Sequence, residues 1–82
     1  MSSPMHDPMP LTTFSTGQEV RIQWVGVEGT EADRLRDLGV REGCRACILM
    51  NADKCILGLG SCRLALQREV AMQLLATPDS SA

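Results

Sequence analysis

Four cysteines carry the most conspicuous chemistry in the chain. Cys44, Cys47, Cys55 and Cys62 follow the spacing C-x₂-C-x₇-C-x₆-C. Four thiolates can hold Fe2+ or Zn2+, so a divalent-metal site is the first reading to weigh. A structural zinc site usually brings two C-x-x-C knuckles, and this chain has one. That one opens "CRACILM", a stretch with strand character, where Cys44 and Cys47 fall on opposite faces. The favoured reading is four small apolar residues in a barrel wall. A redox role would need the C-x-x-C at the start of a helix, and here it follows one. The single histidine, His6, stands beside Asp7 and offers a second weak place for a divalent ion.

Other chemistries lack their parts. No Cys-His or Ser-His-Asp set can be assembled around one histidine at the chain's edge. "GLGSCR" lacks the helix that a dinucleotide fingerprint needs, and no phosphate-loop pattern occurs. The chain is therefore expected not to be an enzyme and to require no cofactor. Net charge is -2, with basic residues interleaved among acids, which argues against a nucleic-acid partner. No apolar run reaches the roughly 20 residues of a membrane span, and the N-terminus has no secretory pattern. A cytoplasmic protein with reduced cysteines is expected.

The elements that would position these residues are short. "MSSPMHDPMP" and "TPDSSA" have no periodicity, so disordered tails are expected over 1–10 and 77–82, with one domain over 11–76. Leu11 and Phe14 suit one turn of helix closed by Gly17. In "QEVRIQWVGV", Val20 and Ile22 share a face, then Val25 and Val27 take the other. That slip predicts a β-bulge near Gln23–Trp24; Trp24 then either turns outward with the bulge or fills the core as the chain's one indole. "GTEADRLRDLG" is the clearest helix, with Thr30 as the expected cap and Asp33 as its capping-box partner. Ala32, Leu35 and Leu38 form its apolar stripe, and Gly39 ends it.

"CRACILM" follows as a strand with Cys44, Ala46, Ile48 and Met50 on one face. "NADK" is a turn, and "CILGLG" and "CRLALQ" are two more strands. "QREVAMQLLA" fits either a closing helix or a closing strand. The fold class is mainly β, a small barrel of about five strands with one or two short helices. Both parities of "CILGLG" are apolar, so Trp24, Leu57 and Leu59 are the candidate partner-binding residues. An apolar edge strand would also let two copies pair as a homodimer.

The order of "LTTFSTGQEVRI", "GTEADRLRDLGVREG" and "RLALQRE" resembles the FeoA family of bacterial ferrous iron uptake, from about Leu11 to Leu75. The resemblance implies an SH3-like barrel in the cytoplasm. It implies an accessory protein that binds and regulates the membrane transporter FeoB, through its GTPase or its gating. Membership would place the chain at the inner face of the membrane through its partner, with no insertion of its own. The same domain type ends iron-dependent repressors, so a detached repressor domain is the alternative. Three departures stand out: Glu42 where proline is common, Gln67 where a basic residue is common, and cysteines at strand positions. The last keeps a metal-sensing module among the alternatives.

Overall fold

A computed structural model of the chain describes residues 7–79. Its elements are β1 (Met9–Pro10), a 3₁₀ turn (Leu11–Thr13), β2 (Glu19–Val25), α1 (Gly29–Asp37), β3 (Arg45–Asn51), β4 (Lys54–Leu59), β5 (Cys62–Gln67), α2 (Arg68–Ala71) and β6 (Leu74–Pro78). All strands join one antiparallel sheet in the order β1-β6-β2-β3-β4-β5. The end strands β1 and β5 do not pair with each other, so the expected mainly-β barrel is an open one.

The disordered tails expected over 1–10 and 77–82 fall largely on residues 1–6 and 80–82, which lie outside the described residues. Between those limits the structure adds to the expected domain. Met9 and Pro10 pair with Ala76 and Leu75. Thr77 and Pro78 extend β6 against β2. Asp79 continues the tie: its N–H donates to the Glu19 carbonyl at 2.9 Å. Its carboxylate meets Arg21 at 3.7 Å and Arg45 at 3.5 Å. Both arginines are exposed, so each pair contributes at most about 1 kcal/mol.

β2 bends where the slip in its pattern predicts. Ile22 pairs with Ala76, and Trp24 pairs with Leu75, which leaves Gln23 as the extra residue of a bulge. Before the bulge Val20 and Ile22 are buried; after it Val27 is, and Trp24 faces outward. Gln23 uses its freed position to donate from Nε2 to the Thr77 hydroxyl at 3.1 Å.

Beyond the bulge the chain passes very close to the segment before β6. The Gly26 N–H donates to the Gln73 carbonyl at 2.8 Å. A Cβ on Gly26 would lie 2.7 Å from that oxygen, which is backbone and cannot swing away. Gly26→Ala is therefore expected to cost about 1–3 kcal/mol, by overpacking, read as a lower urea midpoint at unchanged slope.

A second bulge breaks β3, and the sequence does not announce it. Ile48 pairs with Leu57 but Met50 pairs with Ile56, so Leu49 is the extra residue. Met50 was expected to share the inner face with Ala46 and Ile48. The bulge turns it out, and it is 47% exposed. Leu49 lies over Gly58 instead, with Cδ1 3.2 Å from where a Cβ would stand.

At the end of β3 the Asn51 side chain is a staple rather than a turn residue. Its Nδ2 donates to the carbonyls of Leu11, Thr12 and Phe14 at 3.3, 3.2 and 2.6 Å. The 3₁₀ turn is thereby fixed over the core, with Leu11 and Phe14 buried.

α1 ends as its sequence suggests. The Val40 N–H donates to the Leu35 carbonyl at 2.8 Å and the Gly39 N–H to the Arg36 carbonyl at 3.1 Å. This is a Schellman closure, with Gly39 at φ 102° and its flanking Leu35 and Val40 both buried. The helix start differs from expectation. Glu28 holds the cap position without a side-chain bond, and Thr30 lies inside the first turn. Asp33 meets Arg36 at 3.8 Å on the exposed face instead of reaching back. "QREVAMQLLA" proves to be both of its alternatives, the four-residue α2 followed by β6.

Candidate functional site

The four cysteines are spread through the fold. Cys55 belongs to the core, where burial pushes its thiol pKa up. Cys44 and Cys47 are half-buried, and Cys62 is exposed at the mouth of the β4–β5 hairpin. Cys47 sits in the sheet between Glu19 and Gly58. Among the described residues no three His, Cys, Asp or Glu side chains are grouped to hold a metal ion. His6 lies outside the described residues.

The three candidate partner residues also separate. Trp24 is 56% exposed, as the bulge requires. Leu57 is fully buried and belongs to the core, so it cannot line a surface groove. Leu59 is half-buried and packs against that same core. "CILGLG" is apolar on both parities for a different reason: Cys55 and Leu57 face inward, while Leu49 covers Gly58 on the outside.

What the structure does assemble is a groove between α1 and β5. It encloses about 230 Å³. Glu31 and Arg34 come from the helix and Leu38 from its C-cap, Leu64 and Gln67 from the strand, and Val70 of α2 completes the lining. Leu35 anchors the helix beneath it, buried in the core. Leu38, expected to be buried on the helical stripe, is 45% exposed because it forms the groove's wall. A second cleft of about 370 Å³ lies against α1, lined by Val25, Val27 and Val40 and by the charged Arg36, Arg41 and Glu42.

The first groove has a feature the second lacks. Four consecutive β5 residues, Leu64 to Gln67, line it. Alternate residues of a strand face opposite sides, so a run of both parities means the groove abuts the strand's edge. That edge is open, since β5 pairs only with β4 among the described residues.

Its polarity follows from the hairpin. Leu59 and Cys62 close a two-residue loop in which Gly60 has φ 65°, the first position of a II′ turn. The closing pair of such a loop exchanges hydrogen bonds, and the pattern then alternates. The N–H and C=O groups of Cys62, Leu64 and Leu66 therefore point at β4. Those of Arg63 and Ala65 point into the open.

The family model described as FeoA domain matches residues 9–78. The chain belongs to the FeoA family. Solved structures share its fold at low identity. A FeoA protein from Chlorobium tepidum superposes with a TM-score of 0.82 at 21% identity, covering 90% of this chain and 73% of that one. An iron uptake regulatory protein (FeoA) gives 0.76 at 17% identity, covering 88% and 97%. The T. acidophilum IdeR structure gives 0.82 at 16% identity, covering 95% of this chain and 37% of that one. No match is found among curated protein sequences.

The FeoA domain thus runs from β1 through β6, wider at both ends than the expected 11–76. The groove could not be read in the sequence. Its two walls are about 30 residues apart, and neither has a pattern that marks a gap beside it.

Proposed function

We propose that this FeoA domain is a non-enzymatic accessory of ferrous iron uptake that binds the cytoplasmic region of the FeoB transporter. The family match over residues 9–78 is the observation that carries this reading. The groove beside α1 is the surface best suited to the contact, because it sets Leu38, Leu64 and Val70, among the polar Glu31, Arg34 and Gln67, beside an open strand edge. Such a protein regulates only by preferring one state of its partner. If it binds the GTP-loaded transporter more tightly than the GDP-loaded one, it shifts the transporter toward the first by that difference in affinity. The protein acts in the cytoplasm and reaches the inner face of the membrane through its partner. No helix among the described residues is long and apolar enough to cross a membrane.

Titration calorimetry with the FeoB cytoplasmic region, loaded in turn with GDP and with a non-hydrolysable GTP analogue, tests the proposal. Binding with unequal affinity in the two states is expected. Lack of binding in both states sinks it.

The likeness to IdeR favours a second reading, a regulatory domain separated from a repressor. It predicts binding to a DNA-binding protein rather than to FeoB, and the same calorimetry with each candidate separates the two.

A further inference from the structure

We propose that the open edge of β5 takes an extended, acidic peptide strand of a partner, seated between β5 and α1. The inference rests on the partner reading above only for who supplies the strand.

Three observations specify the occupant. The backbone of Arg63 and Ala65 offers two N–H and two C=O groups that make no hydrogen bond among the described residues. Those groups are spaced for one antiparallel or parallel neighbour, which an extended chain supplies. The groove wall then fixes which side chains the occupant brings. On the inner side, Leu64, Leu38 and Val70 meet alternate residues of the added strand, and these are apolar. On the outer side, the occupant's other residues lie beside Arg63.

Charge selects acids for that outer side. β4 and β5 together hold Lys54 and Arg63 and no carboxylate. Arg34 stands across the groove, next to Glu31. Among the described residues the ion pairs engage Arg21, Arg36 and Arg45, and none engages Arg34, Lys54 or Arg63. The same arginine disfavours a second copy of the chain. Edge-to-edge pairing of two β5 strands would bring Arg63 toward the Arg63 of the other copy, a like-charge contact in the new ladder.

The test uses the whole chain and a heptapeptide alternating glutamate and valine, followed by amide hydrogen exchange at single residues. At saturating peptide, exchange at Arg63 and Ala65 is expected to slow by at least about tenfold, while Leu64, already bonded to β4, is unchanged. The alternating lysine–valine analogue is expected to give no protection, and Arg63→Glu to abolish the effect of the acidic peptide. Arg63 is exposed, so this variant keeps the fold.

Unchanged exchange at Arg63 and Ala65 with the acidic peptide overturns the inference. So does equal protection by the lysine analogue, protection by a proline-rich heptapeptide in place of the acidic one, or protection that rises with protein concentration alone. Repeating the measurement with the transporter's cytoplasmic region keeps the two proposals apart. Binding without protection of Arg63 and Ala65 leaves the partner reading standing and removes this one. Protection by the acidic peptide, with no binding of the transporter region, does the reverse.

Discussion

Asn51→Asp is expected to destabilise the domain by about 2–4 kcal/mol at neutral pH, although it changes one atom. The wild-type Nδ2 donates to three backbone carbonyls of the first turn. An aspartate in its place offers an acceptor to three acceptors and brings a charge to a part-buried position. The sign of its pH dependence follows. In the folded variant a neutral carboxyl can still donate one hydrogen bond to those carbonyls, so its pKa is raised above the unfolded value of about 3.9. The folded state then holds more protons than the unfolded one across that window. The variant's stability falls as pH rises through it, and the deficit narrows as pH is lowered toward 4, a value near that reference. Urea unfolding of both proteins at neutral and acidic pH checks this. A gap that stays constant would mean that the lost bonds, not the charge, set the cost.

Leu35→Ala is the second large effect, expected at about 2–5 kcal/mol. Leu35 is the fully buried residue of α1, and it also underlies the groove. The nine-residue helix is too short to hold itself, so its position depends on this anchor and on Val40 after it. Loss of the anchor should lower the urea midpoint and weaken partner binding together. Leu38→Ala provides the contrast. Its side chain is 45% exposed and forms the groove wall, so stability should change by no more than about 0.5 kcal/mol while binding falls. If both variants lose stability and neither loses binding, the groove beside α1 is not the contact surface.

Much of the scaffold was legible because one face of each strand is buried. The change of parity after Ile22 located the bulge at Gln23, since an unbroken strand would have buried Trp24 and exposed Val25 and Val27. Gly39 marked the helix end because no other residue enters its conformation cheaply. The bulge at Leu49 escaped for the opposite reason. Ala46, Ile48 and Met50 alternate as if nothing interrupts them, and Leu49 is apolar too, so either register satisfies the pattern. Leu57 shows the same ambiguity. In a run where every residue is apolar or glycine, periodicity cannot say which parity is the core. Asn51 was misread because a polar residue before "ADK" looks like turn chemistry. Its three acceptors lie about 40 residues earlier in the chain, beyond the reach of local patterns. Met9 and Pro10 are too few to show any period and become a strand only because β6 waits beside them.

The placement of β6 also governs when the domain can form. It lies in the interior of the sheet, between the first strand and the second. Its contacts with β2 join residues such as Ile22 and Ala76, from opposite ends of the chain. During synthesis the segment from β2 to β5 can assemble as it emerges, but β1 has no neighbour among the described residues except β6. β1 is therefore the last strand to find its place, once β6 is available to pair with it. Closure across so long a separation is slow relative to the local hairpins. Until it happens the nascent domain exposes the edge of β2 that β6 will cover.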